Sequence, residues 1–186
     1  LNVNAVQINS PANIAVMDTV VPRFCKPRKL PFALEEPVRT ELQRLEAAGI
    51  LEKVEQSEWA TPIVVVHKPC GKVRICGDYN ATVNDFIMKS VTTGLDIDDT
   101  LARLAKCNLF SKIDLKDAYL HVPLDTASQM FTVVSTPFGL SRYKFLPLGI
   151  RSAPHIFQDR MEKMLFGLPG VFAHLDDVLL ATKPPQ

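Results

Sequence analysis

Three aspartates of this 186-residue chain stand where apolar segments end, a position from which carboxylates can do chemistry. Asp176 and Asp177 are adjacent and lie between two apolar runs, and Asp114 follows the largely apolar residues 109–113. Aspartate is common in turns, so the adjacent pair alone is equally consistent with a simple turn and with a functional site. Two like charges in a partly desolvated hairpin repel one another unless a cation is present.

Asp114 supplies a third acid, and acids at the ends of separate strands can converge at one end of a sheet. Carboxylate oxygens suit Mg²⁺, which keeps several waters and is completed by substrate phosphates. A pair of such ions can activate a hydroxyl nucleophile and stabilise the leaving oxygen of a phosphoryl transfer. The three acids are consistent with this chemistry, although they do not identify a polymerase by themselves.

Four motifs around these acids resemble, in the same order, the reverse transcriptases of Gypsy-class LTR retrotransposons and retroviruses. Residues 110–119 read Phe-Ser-Lys-Ile-Asp-Leu-Lys-Asp-Ala-Tyr and resemble the first palm motif, while residues 174–177 read His-Leu-Asp-Asp and resemble the Tyr-x-Asp-Asp box. The resemblance continues in the loop and helix between these two motifs, at residues 146–154 and 156–158. It also includes the fingers before them, at residues 49–51, 57–62 and 74–79. The resemblance covers about residues 22–182.

The resemblance implies that Asp114, Asp176 and Asp177 are catalytic and hold two Mg²⁺ ions, with Mn²⁺ as a substitute and Leu115 as a fourth member of the metal site. It implies a nucleotide-binding group composed of Lys68, Lys72, Arg74, Leu115, Asp117, Ala118, Tyr119, Leu148 and Gly149. It also places Gln158 and His174 beside the template and primer. Without the resemblance, the basic residues of the group would be interpreted as a solvated hairpin tip.

Two of these roles have structural alternatives. Tyr119 is expected to be a steric gate that leaves no room for the 2′-hydroxyl of a ribonucleotide, and its alternative is a core aromatic packed on the sheet. Gln158 is interpreted equally as a template-side residue and as an exposed polar residue of a helix.

Gly149 would let the backbone approach a nucleotide or template closely. His174 replaces the usual tyrosine of the Asp-Asp box, and Leu148 stands where lentiviral enzymes carry glutamine.

The elements that must position these residues follow from hydrophobic periodicity. Helices are predicted over residues 35–48 and 96–106, and a third helix is predicted to begin after a Ser152 cap with Pro154 in its first turn. A hairpin is predicted from residues 63–66 and 72–76, and further strands at residues 109–114, 131–134, 142–145, 171–175 and 178–181. This order predicts an α+β domain on a mainly antiparallel sheet. The expected organisation is an extended lead-in (1–33), a fingers and palm domain without a thumb (34–182) and a truncated tail (183–186).

Composition excludes little. A net charge of +1 means that a nucleic-acid partner must bind a local basic patch and not a global field. The four cysteines match no zinc template, which favours free thiols in a reducing compartment. Neither a secretory leader nor an apolar run of about 20 residues is present, so we expect no membrane contact and an intracellular location, either cytoplasmic or in a virus-like particle.

The expected function is therefore RNA-directed DNA polymerase activity, with deoxynucleoside triphosphates as substrates and a primed RNA or DNA template as partner. The remainder of a Pol polyprotein, with thumb, RNase H and integrase segments, is a further expected partner. The alternative is a truncated or co-opted retroelement fragment that binds nucleic acid or protein without catalysis.

Overall fold

The computed structural model describes residues 10–69, 71–88, 104–105 and 107–182. The α-helices are α1 (Phe32–Ala47), α2 (Thr126–Met130) and α3 (Ala153–Leu165). The strands are β1 (Leu51–Val54), β2 (Thr61–His67), β3 (Val73–Gly77), β4 (Leu109–Asp114), β5 (Val133–Thr136), β6 (Gly139–Tyr143), β7 (Val171–His174) and β8 (Asp177–Thr182). Short 3₁₀ turns span Tyr79–Ala81, Val83–Phe86 and Ala118–His121.

The strands form two sheets. The larger sheet has the order β1-β6-β5-β2-β3, and the smaller has the order β4-β8-β7. Adjacent strands are antiparallel except for β2 and β5, which are parallel. The predicted α+β class with mainly antiparallel pairing is confirmed, and the described strands divide between two sheets. The strand that ends in Asp114 pairs with β8 and not with the hairpin of β2 and β3.

Several predicted bounds agree with the structure and others are shifted. Strand β4 has the predicted bounds, and β2 and β3 form the predicted hairpin. The strand predicted at residues 131–134 begins instead at Val133, because the Asp125 carboxylate caps α2 through the Ser128 amide at 2.7 Å and backbone bonds continue that turn through Thr132. The strand predicted at 142–145 lies at Gly139–Tyr143, directly after the two-residue loop that joins it to β5.

The helix ends also differ in detail. Helix α1 begins three residues earlier than predicted, at Phe32, so Pro37 lies inside the helix and not in its first turn. Ser152 precedes α3, but its side chain makes no capping hydrogen bond, and its buried hydroxyl has no partner among the described residues. The helix predicted at residues 96–106 lies outside the described residues apart from 104 and 105, as do the first nine residues and the tail at 183–186.

The described part of the lead-in is integrated into the body. The Ala12 amide donates to the Pro123 carbonyl at 2.7 Å, and the Met17 amide donates to the Phe86 carbonyl at 2.9 Å. Ala12 and Ile14 are buried in the same hydrophobic core as the residues of the two sheets. Among the described helices, none combines the length and the apolar character that crossing a membrane requires.

Candidate active site

The three acids lie together at one end of the smaller sheet. In the register of β4 and β8, Asp114 stands directly opposite Asp177. Asp176 occupies the two-residue turn between β7 and β8, and its carbonyl accepts the amide of Leu115 at 2.9 Å. This bond joins the end of β4 to the turn, so the predicted convergence of three acids at one sheet end is present.

The acids share a sheet face with a lysine. Side chains alternate along a strand, so Lys112 and Asp114 point to the same side, as does Asp177 opposite Asp114. The Lys112 ammonium lies 2.7 Å from the Asp177 carboxylate, a diagonal cross-strand ion pair. The hydrogen bond and the charge of Asp177, together with the nearby charge of Asp114, raise the pKa of Lys112. Lys112 was not predicted to have a role, although its spacing of two residues from Asp114 places it on this face.

The opposite face of the same sheet is apolar. Ile113, Val178 and Leu180 line a groove of about 510 Å³ together with Met161 and other residues of α3. Helix α3 packs against β7 on this side, while Asp114 and Asp176 are exposed and Asp177 is half-buried. The acids are therefore accessible from solvent and supported from behind by packed apolar side chains.

The carboxylate oxygens of the three acids suit a divalent cation, although the side chains are not arranged around a common point. Among the residues that the structure describes, no group of three or more His, Cys, Asp or Glu side chains is close enough to hold a metal ion. The donors at this sheet end are carboxylate oxygens, which suit hard cations such as Mg²⁺ and Mn²⁺. A cationic ammonium already lies against Asp177, and the exposed side chains of Asp114 and Asp176 can change rotamer readily.

Tyr119 is half-buried beside this site. Its ring packs edge-to-face on Phe157 of α3 with centroids 5.3 Å apart. Burial raises the pKa of the Tyr119 hydroxyl, and the negative charge of Asp176 raises it further, so the phenol lies within electrostatic reach of that acid. The ring packs against core residues, as the alternative interpretation predicts, and the steric-gate role stays a prediction.

Of the neighbouring residues in the predicted nucleotide-binding group, Asp117 and Ala118 form the turn that presents Tyr119. Asp117 adopts a left-handed backbone conformation with φ 51°, and its carbonyl accepts the Leu120 amide at 2.9 Å. Ala118 is buried. This turn follows β4 directly and carries the chain from Asp114 to Tyr119.

The basic residues of the group lie on the other sheet. Arg74 stands opposite Val66 near the tip of the hairpin, and the Lys68 amide donates to the Lys72 carbonyl at 2.8 Å to close it. Arg74 and Lys72 are exposed and Lys68 is half-buried. Because β3 is an edge strand of the larger sheet, the hairpin projects from a different sheet than the acids.

The loop of Leu148 and Gly149 packs against the base of that hairpin. Gly149 has φ +100°, and a Cβ built on it would lie 2.5 Å from the carbonyl oxygen of Gly77. Glycine is required here because the loop closely approaches the protein backbone at Gly77. The prediction attributed this close approach to a nucleotide or template. Buried Asn84, which was not predicted, holds the loop by donating to the Gly149 carbonyl at 2.8 Å and accepting the Arg151 amide at 2.9 Å.

The interpretation of Gln158 as an exposed polar residue of a helix is wrong, and its template-side interpretation stays an untested prediction. Its side chain is only 7% exposed, and its amide group bonds to the backbone of β7 and of the turn that follows. His174 is exposed and stands opposite Asp177 in the strand register, on the face that carries the acids. Strand β7 ends at His174 and not at Leu175 as predicted, because Leu175 turns into a left-handed conformation with φ 51°.

Comparison with known sequences gives one family. Residues 67–186 match the family model described as reverse transcriptase (RNA-dependent DNA polymerase). The chain is 35% identical over 171 residues to the uncharacterized protein K02A2.6 of Caenorhabditis elegans, an alignment that covers 91% of this chain and 14% of that protein. It is 28% identical over 167 residues to the retrovirus-related Pol polyprotein from transposon 412 of Drosophila melanogaster, covering 86% and 13% respectively. The chain therefore spans a small part of either relative.

Comparison with solved structures gives a consistent result. The foamy viral protease-reverse transcriptase in complex with double-stranded DNA superposes with a TM-score of 0.82 at 27% identity, covering 94% of this chain and 30% of that one. The same type of viral protein in complex with an RNA/DNA hybrid gives a TM-score of 0.76 at 25% identity, covering 93% and 23%. Both likenesses extend over nearly the whole of this chain.

Proposed function

The chain belongs to the reverse transcriptase (RNA-dependent DNA polymerase) family, and we propose that it carries the catalytic acids of an RNA-directed DNA polymerase. The observation that supports this proposal most strongly is the meeting of three acids at one sheet end. Asp114 stands opposite Asp177, and Asp176 is joined to the end of β4 by the Leu115 amide. The acids reach this position from two separate parts of the chain.

In this proposal Asp114, Asp176 and Asp177 hold two divalent cations, with the Leu115 backbone beside them. When bound, such ions would activate the primer 3′-hydroxyl and neutralise the charge on the transferred and leaving phosphates. The protein's own contribution is to position the acids on a packed sheet and to expose them on one face. Catalysis then depends on positioning and charge stabilisation, with no covalent enzyme intermediate.

The remaining residues of the nucleotide-binding group are proposed to receive the deoxynucleoside triphosphate. The basic side chains of the hairpin tip, Lys68, Lys72 and Arg74, would contact its phosphates. Charge-assisted hydrogen bonds to phosphate are strong, and these side chains carry the positive charge that phosphate attracts. Tyr119, with its hydroxyl near Asp176, would lie beneath the sugar and exclude a 2′-hydroxyl. His174, on the face of the acids, would lie near the primer end.

The proposed macromolecular partner is a primed RNA or DNA template. The structural neighbours were solved with double-stranded DNA and with an RNA/DNA hybrid, and the Drosophila relative is a Pol polyprotein. With a net charge of +1, this chain would bind such a partner through local basic groups, among them the hairpin tip. Thumb, RNase H and integrase segments of a Pol polyprotein are proposed as further partners.

One observation favours a second candidate, a nucleic-acid-binding domain that does not catalyse. The Lys112 ammonium lies 2.7 Å from the Asp177 carboxylate and balances its charge. In that case the acids would be charge-balanced within the protein and would not take up cations.

Primer extension separates the two candidates. The chain is incubated with an oligo(dT)-primed RNA homopolymer, thymidine triphosphate and Mg²⁺ or Mn²⁺, beside the variants Asp114→Asn and Asp176→Asn. Asp159→Asn is the matched control, because Asp159 also accepts a lysine ammonium at 2.7 Å but lies on α3. We expect extension by the wild type and the control, and a loss of about a hundredfold or more in the two site variants, since metal ligation contributes several kcal/mol to the transition state. Absence of extension by the wild type, or full activity of Asp176→Asn, would refute the proposed function.

A further inference from the structure

We propose that Gln158 is a positioning residue, which holds the turn between β7 and β8 and thereby fixes Asp176 and Asp177 relative to Asp114. This inference rests on the proposed function of the acids. It gives Gln158 a role through the protein backbone and not through contact with template or primer.

The Gln158 amide spans the last part of β7 and the first residue of the turn. Its Nε2 donates to the carbonyl of Ala173 at 2.9 Å, and its Oε1 accepts the amide N–H of Leu175 at 2.9 Å. The second hydrogen of Nε2 goes to the Glu162 carboxylate at 2.8 Å. Both donor hydrogens of the side chain are therefore used within the protein, and none is left for nucleic acid.

The turn that Gln158 holds is strained. Leu175 has φ 51°, a left-handed conformation. For a residue with a bulky side chain this conformation is unfavourable in free energy, and it persists where the surroundings stabilise it. Asp176 follows Leu175 directly, and its carbonyl accepts the Leu115 amide. A continuous series of bonds thus runs from α3 through the strained turn to the end of β4, next to Asp114.

The packing of α3 holds this series of hydrogen bonds in place. Gln158 lies between Phe157 and Met161 on the buried side of the helix, and α3 packs against β7. A buried polar side chain of this kind is costly unless its hydrogen bonds are made, so the bonds to β7 and the turn are the reason that glutamine is stable here. Moving the turn would break them.

The test compares Gln158→Met with Gln129→Met. Methionine keeps the unbranched shape and good helix propensity of glutamine but removes its hydrogen bonds. Gln129 is the matched control, because its Nε2 also donates to a backbone carbonyl, that of Leu124, at 2.9 Å. Hydrogen exchange of the Leu175 amide, followed by NMR without metal, is expected to quicken by about tenfold in Gln158→Met and to stay unchanged in Gln129→Met.

The second readout is the affinity for Mn²⁺, measured by electron paramagnetic resonance on the same proteins. We expect the dissociation constant to rise by about tenfold in Gln158→Met, as for other residues that orient metal ligands. If Gln158→Met does not fold, exchange of the Gln158 Nε2 hydrogens is followed in the wild type by NMR. Because they donate to Ala173 and Glu162, they should exchange more slowly than those of a free amide, and exchange at the free-amide rate would overturn the inference.

Two further results would overturn the inference. Unchanged Leu175 exchange in Gln158→Met would mean that the side chain does not hold the turn. Faster exchange with Mn²⁺ affinity equal to that of the control would mean that the turn is held but that the acids do not depend on it. A wild-type chain that binds no Mn²⁺ is a different outcome, which counts against the proposed function while the exchange measurement still decides whether Gln158 holds the turn.

Discussion

Replacing Gly149 by alanine tests whether the loop before α3 is pinned to the base of the hairpin. Gly149 has φ +100°, and its added Cβ would lie 2.5 Å from the Gly77 carbonyl oxygen and 3.2 Å from the ring of Tyr79. Gly139 is a close control, because it has φ +117° and open space around the same position. The two substitutions share the backbone penalty and differ in the steric overlap.

The expected magnitudes follow from these two contributions. A left-handed backbone costs an alanine about 1–2 kcal/mol, which is the whole expected loss in Gly139→Ala. Overlap with a carbonyl oxygen and an aromatic ring adds about 1–3 kcal/mol in Gly149→Ala, because both neighbours are part of the packed core and cannot move freely. For a chain of this size each kcal/mol lowers the melting temperature by about 2–4 °C.

Urea unfolding followed by the fluorescence of Trp59 measures this difference. Trp59 is the sole tryptophan and is 2% exposed, so its emission reports on loss of the core. Equal free energies of unfolding for Gly149→Ala and Gly139→Ala would refute the reasoning, since the steric overlap would then contribute nothing. A larger loss in Gly139→Ala would refute it more strongly.

Three further predictions concern charge and specificity. Lys112→Met removes the ammonium group that lies against Asp177, so Mn²⁺ should bind more tightly in an equilibrium titration. An unchanged or weaker affinity would contradict competition between the Lys112 ammonium and Mn²⁺. Burial is the main cause that raises the pKa values of Tyr79, Tyr119 and Tyr143, so native protein should show little phenolate absorbance near pH 10, where unfolded tyrosines are half-ionised. Stability should therefore fall as the pH rises above about 10, because the unfolded chain releases protons that the native chain retains, and a flat stability profile there contradicts the assigned burial. Tyr119→Val should admit ribonucleotides in primer extension, and undiminished sugar discrimination would remove the gate role.

The sequence predicted best those features that depend on local pattern. Strand β4 has the predicted bounds because an apolar run ends there in a carboxylate, and the hairpin of β2 and β3 follows from its turn residues. The convergence of Asp114 with the adjacent acids was also anticipated. The division into two sheets was not, because the pairing partner of a strand depends on contacts that are distant in the chain.

Two residues of the site show where local interpretation was insufficient. Gln158 was interpreted equally as a template-side residue and as an exposed polar residue of a helix. It lies instead on the buried side of its helix, beside Phe157 and four residues from Glu162. Its bonds to β7 depend on how the helix packs, which periodicity alone does not specify. Lys112 is the simpler case, since strand alternation already placed it on the side of Asp114.

The central claim is that the three acids form one divalent-cation site, and direct Mn²⁺ binding tests it. Free Mn²⁺ is measured by electron paramagnetic resonance during titration of the wild-type chain, Asp114→Asn and the control Asp159→Asn. We predict saturable binding in the wild type and the control, and its loss in Asp114→Asn. Absence of saturable binding in the wild type, or equal affinity in all three proteins, would contradict the claim.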